Sequence, residues 1–145
     1  MRFWDTTSTA CRVERVVIDT SALVALLGME PEAARIAQAI EADPLRLVSA
    51  AALVEATIVL ESRQGGAAVR ELDLLIARAQ LQIEPVTVDQ AELARSAWRR
   101  FGKGRHSAGL NYGDCFSYAL SRASGEALLF KGKDFAMTDI QAVGY

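Results

Sequence analysis

Val13-Glu14-Arg15-Val16-Val17-Ile18-Asp19-Thr20-Ser21-Ala22-Leu23 is the stretch that decides the fold. Its β-branched run over residues 13–18 reads as a strand. A helical pattern takes over at residues 21–28, and Asp19 stands at the change. The same alternation continues down the chain. Helical patterns cover residues 31–42, with Pro31 in a first turn, and 49–64, closed by Gly65-Gly66. Others cover 67–80, 88–101 (ending at Gly102) and 112–124 (ending at Gly125). Short apolar strands fit 45–48, 81–86 and 127–130. Such alternation predicts an α/β fold of three layers, α/β/α, with a central parallel sheet of four to five short strands. Residues 1–12 show no periodicity and read as a loose extension. Residues 13–145 then form one domain, without repeats or linkers.

Bulk properties narrow the function. The 145 residues are 51% hydrophobic and 23% charged, which is globular rather than disordered. No stretch free of charge approaches the roughly 18 residues of a membrane span. Arg2, Asp5, Arg12, Glu14 and Arg15 break up the start, which therefore lacks the apolar core of a secretory signal. Two cysteines, Cys11 and Cys115, suit a reducing compartment better than a disulfide framework. A cytoplasmic protein without a membrane partner is expected. The net charge of −2 excludes gripping nucleic acid by overall field, so any RNA contact must rest on local patches.

In parallel sheets, sites form at the carboxyl ends of strands. Asp19 follows the first strand directly, where a helix cap would also explain it. Glu55 lies in Ala50-Ala51-Ala52-Leu53-Val54-Glu55-Ala56-Thr57-Ile58-Val59-Leu60. Its helix neighbours are apolar, and a lone charge there needs an Arg or a metal ion. Asp114 occupies the first turn of a helix, where it also suits the dipole. Asp134 follows the fourth strand, with Asp139 five residues later, and either also reads as a loop acid. Jointly these acids can converge on one sheet edge. Clustered carboxylates repel, and divalent cations relieve them. An all-oxygen set suits Mg²⁺, with Mn²⁺ as a substitute. His106 is the only histidine, which excludes a histidine-pair mechanism.

Val17-Ile18-Asp19-Thr20-Ser21-Ala22-Leu23, Glu55, Asn111-Tyr112-Gly113-Asp114-Cys115, and Phe130-Lys131-Gly132-Lys133-Asp134-Phe135 with Thr138-Asp139-Ile140 together resemble the PIN-domain toxins of the VapC type. The resemblance runs in order from about Val16 to the end. It implies a Mg²⁺-dependent endoribonuclease toxin with an RNA substrate, a cognate protein antitoxin and a homodimer. It places the acidic quartet at Asp19, Glu55, Asp114 and Asp134. Ser21 matches the hydroxyl residue that supports the first acid, and Asp139 is the alternative fourth acid.

Arg99, Arg100, Lys103, Arg105 and His106 form a basic stretch. The two arginines complement a helix end. Lys103, Arg105 and His106 lie beyond it and are candidates for RNA contact. The helix over 49–60 reads as apolar nearly all round, hence covered on every side. A domain this small needs a protein interface for that, with a second copy or an antitoxin.

Two rival readings remain. A phosphoaspartate phosphatase or receiver also places Asp after strand one and Lys after a late strand, as Lys131 is. The phosphatase wants an acid at position 21, however, and the receiver wants adjacent acids at the strand end, where Ile18 precedes Asp19. A non-catalytic PIN-like interaction module would keep the fold with no need of Glu55.

Overall fold

A computed structural model describes residues 14–145. The predicted extension, Cys11 and Val13 lie outside the described residues. Four parallel strands, β1 (Arg15–Ile18), β2 (Leu45–Ser49), β3 (Leu81–Glu84) and β4 (Ala127–Leu129), form one sheet in the order β3-β2-β1-β4. An isolated parallel bridge from Leu128 to Ala142 adds one rung beyond β4. Among the described residues the expected count of four to five short strands thus resolves to four.

The pleat sorts β1 between two cores. Val16 and Ile18 join Val48 and Leu129 under α1 (Thr20–Leu27), α2 (Ala33–Ala42), α3 (Ala50–Gln64) and α4 (Gly66–Arg78). Val17 points the other way, with Leu47 and Leu128, under α5 (Val88–Phe101) and α6 (Tyr112–Ser124). Strand residues alternate faces, so one run of three apolar residues feeds both cores. This is the α/β/α sandwich that the alternation predicts.

Local signals fix the junctions. Ser49 caps α3 by accepting from the Ala51 amide at 3.3 Å. Gly65, at φ 80, ends α3 and starts α4, a conformation that glycine adopts without strain. Arg46 donates to the carbonyls of Ile40 (2.7 Å), Asp43 (2.9 Å) and Ala79 (2.7 Å), tying the ends of α2 and α4 to β2. Several boundaries differ from expectation by one or two residues, two of them for reasons that proline supplies. α2 starts at Ala33, after Pro31, and β3 stops at Glu84 before Pro85 removes a ladder donor.

The structure corrects the reading of α3. Only Ala52, Ala56 and Leu60 are buried, whereas Val54 and Ile58 are each 59% exposed. The alanine-rich face fits closely under α1, and the larger residues one step round remain outside. Among the described residues, no helix is long and apolar enough to cross a membrane.

Candidate active site

Strand β1 delivers Asp19 to the carboxyl edge of the sheet, where its amide donates to the Leu129 carbonyl at 2.9 Å. Asp19 caps α1, as the simple reading expects: its Oδ2 accepts from the Ser21 amide at 2.9 Å. The cap uses one oxygen only. Among the described residues Oδ1 is buried without a hydrogen-bond partner, and the residue is 2% exposed. A bare buried carboxylate oxygen is costly unless something else covers it.

Glu55 comes from the middle of α3 and is half-buried. Burial pushes its carboxyl above the usual range, the Thr20 hydroxyl pulls it back, and the Asp19 charge raises it again. Among the described residues no Arg, Lys or His forms an ion pair with it. The salt-bridge alternative for Glu55 therefore has no partner there. Thr20 is buried and its hydroxyl donates to the Ala52 carbonyl at 3.2 Å, so it joins α1 to α3 beside this acid.

Asp114 lies in the first turn of α6, in a capping box with Asn111. The Asp114 amide donates to Asn111 Oδ1 at 2.8 Å, and Asp114 Oδ2 accepts from the Asn111 amide at 3.0 Å. Its carboxyl is nonetheless pushed up to about 7, first by burial, and further by the charges of Asp19, Glu55 and Asp134 against the pull of the Asn111 amide. One acid thus feels the other three. Gly113 closes the group from α6: a Cβ there would stand 1.9 Å from Glu55 Oε2.

Asp134 is exposed and caps the 3-10 turn Phe135–Met137, with no capping bond from its side chain. Asp139 is held elsewhere. It accepts from the Tyr118 hydroxyl at 2.7 Å and pairs with Arg100 at 3.2 Å and Arg122 at 3.8 Å. The acids whose charges reach Asp114 are therefore Asp19, Glu55 and Asp134, while Asp139 clamps the C-terminal segment to α5 and α6. Ser21 supports Asp19 through its amide, while its hydroxyl accepts from the Lys131 amide at 2.9 Å and fixes the loop that leads to Asp134. The Lys131 ammonium is engaged by Glu30 and Glu32, which removes it from the phosphoaspartate role considered above.

The basic stretch forms a closed loop. The Leu110 amide donates to the Phe101 carbonyl and the Lys103 amide to the Leu110 carbonyl, both at 2.9 Å. Lys103, Arg105 and His106 are exposed on it. His106 partly serves the loop itself: Nδ1 accepts from the Ala108 amide at 3.0 Å, and its ring meets Phe101 edge-on at 5.2 Å. Sequence reasoning missed Thr20 and Gly113, whose roles arise from a close approach between helices. The one available signal was a glycine in the first turn of a helix.

A neutral residue at 55 gives a direct check. Folding disfavours the charged form of Glu55, so its contribution to stability is present at low pH and falls as pH rises through its raised value. Glu55→Gln is expected to melt no lower than wild type in chelator at pH 7.5, and relatively lower at pH 4. A large loss at pH 7.5 would mean that the carboxylate has a cationic partner after all.

Comparison with known proteins agrees with this arrangement. The family model for the PIN domain matches residues 16–141. Ribonuclease VapC30 of Mycobacterium tuberculosis is 56% identical over 128 residues, 88% of this chain and 98% of that protein. Ribonuclease VapC of Mycolicibacterium smegmatis is 56% identical over 88% of this chain and 99% of its own. Among solved structures, VapC20 of M. tuberculosis, described as a sarcin-ricin loop cleaving toxin, superposes with a TM-score of 0.74 at 21% identity, covering 88% of this chain and 98% of that one. A toxin-antitoxin complex from Klebsiella pneumoniae gives 0.66 at 20% identity, over 90% and 98%. Four acids at the carboxyl edge of a parallel sheet, on a chain this similar to named ribonucleases, leave one conclusion: the chain belongs to the PIN-domain family, among the VapC ribonucleases.

Proposed function

We propose that this chain is the toxin of a toxin–antitoxin pair, a cytoplasmic endoribonuclease that hydrolyses RNA at the Asp19–Glu55–Asp114–Asp134 site with divalent metal. The observation that carries the proposal is the unpartnered, buried Asp19 Oδ1 beside an Asp114 whose carboxyl is pushed up to about 7. Both features call for a cation. Among the described residues no three Asp, Glu, His or Cys side chains are gathered closely enough to hold an ion by themselves. An all-oxygen donor set suits Mg²⁺, with Mn²⁺ substituting, and Mg²⁺ is commonly held by one or two carboxylates plus water and substrate phosphate. When bound, the ion would lower the pKa of a water and balance charge at the leaving oxygen. The protein's part is to hold Asp19 and Asp114 rigidly through two helix caps, and to present Glu55 and Asp134 beside them. Calorimetry with Mn²⁺ on wild type and Glu55→Gln tests this: absence of binding by the wild type would sink the metal reading.

Lys103 and Arg105 hold phosphates in this scheme. Neutralising both is expected to weaken RNA binding and flatten its salt dependence by about two counterions, with metal affinity little changed. An unaltered slope would remove the loop from RNA binding.

Two apolar surfaces support the protein partners. A groove of about 410 Å³ between α1, α2 and α4, with Leu26, Leu27, Ile40 and Leu74 among its walls, suits an apolar antitoxin segment. An arginine from that partner, directed at the quartet, would pair bidentately and compete with the metal. Val54 and Ile58, one turn apart and exposed on α3, suit a second copy of the chain. Ile58→Glu should then lower the mass seen by light scattering at tens of micromolar from dimer to monomer. A wild-type chain that is monomeric there would remove the homodimer.

A further inference from the structure

The loop that carries Asp134 leaves β4 through a soft point. Gly132 stands at φ 108, which glycine adopts without strain, and a Cβ there would meet nothing within 4 Å. Backbone conformation, not crowding, calls for glycine at this position. The far end of the loop is pinned: Phe135 is buried and packs on Phe130 with ring centres 5.1 Å apart. Asp134 itself is exposed and makes no capping bond. The path from Phe130 to Asp134 therefore depends on the residues between them.

Lys131 is held at both of its ends. Its amide donates to Ser21 Oγ at 2.9 Å, and the Ser21 amide donates to Asp19 Oδ2 at 2.9 Å. One residue of α1 thus ties the Asp134 loop to the first acid. The Lys131 ammonium donates to Glu30 and lies 3.3 Å from Glu32. Those two acids stand on a hydrogen-bonded base. The Glu30 amide donates to the Ala25 carbonyl at 3.0 Å across the turn that ends α1, and the Glu30 and Glu32 carbonyls accept from the Ala33 and Ile36 amides, both at 2.9 Å. Met29 in that turn is left-handed, at φ 52, an unfavourable conformation for a residue with a side chain, and it persists because the surrounding bonds impose it. An isolated surface ion pair contributes little. Here one cation separates two acids, and the side chains of Lys131, Glu30 and Glu32 are 34%, 33% and 25% exposed.

We propose that Lys131 is a positioning residue for Asp134: a strap from the turn between α1 and α2 that sets how the loop leaves β4, and so where the fourth carboxylate stands. This rests on the assignment of Asp134 to the nuclease site and goes beyond it by naming what holds that acid. Without the ammonium, Glu30 and Glu32 face each other with no common cation, and like charges drive the anchor apart. Gly132, next in the chain, offers no resistance to the swing that follows.

Hydrogen exchange on the metal-free protein reads the strap directly. In Lys131→Met, amides of residues 130–135 should exchange about tenfold faster, with those of α3 unchanged. Lys131→Arg keeps the cation and should restore slow exchange. With Mg²⁺ present, Lys131→Met should lower kcat for RNA cleavage about tenfold at unchanged KM, short of the hundredfold that a 1 Å displacement can cost. It should add nothing to the loss caused by Asp134→Asn, because the two act as one unit. The pair Glu30→Gln with Glu32→Gln releases the strap from the other side and should reproduce both effects, which keeps the test open if Lys131→Met does not fold. Unchanged exchange over residues 130–135, or a loss that adds to that of Asp134→Asn, would overturn the proposal. So would weaker RNA binding in chelator with a salt slope reduced by about one, since Lys131 would then hold a phosphate itself. The nuclease reading fails separately: a wild type that cuts no RNA with Mg²⁺ or Mn²⁺, yet shows the expected exchange difference from Lys131→Met, would remove the activity and support the strap.

Discussion

Asp19→Asn and Asp114→Asn are each expected to lower RNA cleavage on the order of a thousandfold while leaving the fold intact. Both positions allow a clean test because asparagine keeps the local structure. At residue 19 an amide oxygen can still accept from the Ser21 amide and cap α1. At residue 114 it can still accept from Asn111 and complete the box. What disappears is the charge that faces the other acids. Stability then moves in the direction opposite to activity. The Asp114 carboxyl is raised from 3.8 to about 7 in the folded chain, chiefly by burial. A raised acid stabilises the fold while protonated, fully at low pH, and that contribution is lost as pH rises from about 4 to about 7. In chelator, the melting temperature of Asp114→Asn should therefore rise relative to wild type across that window, by the equivalent of on the order of 2 kcal/mol once solvent screening of a partly exposed group is allowed for. Cleavage by the wild type should increase with pH over the upper part of the window, since a metal must displace that proton. Thermal melts from pH 4 to 8, with and without Mg²⁺, measure both arms. Full activity in either variant, or parallel melting curves at all pH values, would sink the assignment.

The sheet was legible because its signals are local. Val16-Val17-Ile18 is β-branched and fully buried, and a strand between two helical layers must be apolar on both faces. Glycines at 65 and 125 and the cap at Ser49 mark helix ends by their own conformational preferences. Asp19 and Asp114 were legible as acids at element ends, and each is also a true cap that engages one oxygen, which leaves the other for the role proposed here. The rest depends on contacts between elements. Nothing in the order of residues says that Asp139 is taken by Arg100, Tyr118 and Arg122 while Asp134 is left free. The apolar composition of α3 suggested cover on all sides, yet packing selects the alanine face and leaves Val54 and Ile58 outside.

Gly113→Ala is expected to lower cleavage about a hundredfold with little change in stability. Alanine is the better helix former, so at this first-turn position α6 itself should lose nothing from the change. The added methyl, however, would meet Glu55, with Oε2 at 1.9 Å, Cδ at 2.4 Å and Oε1 at 2.6 Å from the new atom. All three atoms belong to the free end of one flexible side chain. The clash can therefore be relieved by turning the carboxylate aside, without moving either helix. Displacement of a catalytic group by about 1 Å can cost a hundredfold in rate, so the loss falls on function and spares the fold. A double-mutant cycle separates this route from a general disturbance. If the glycine acts only through Glu55, Gly113→Ala should add nothing to the loss already caused by Glu55→Gln, because neighbouring sites with a shared role are not additive. Activity at the wild-type level in Gly113→Ala would show that the position of this carboxylate does not matter. Additive losses, or a melting temperature lowered by many degrees, would show that the glycine serves packing between α3 and α6 instead.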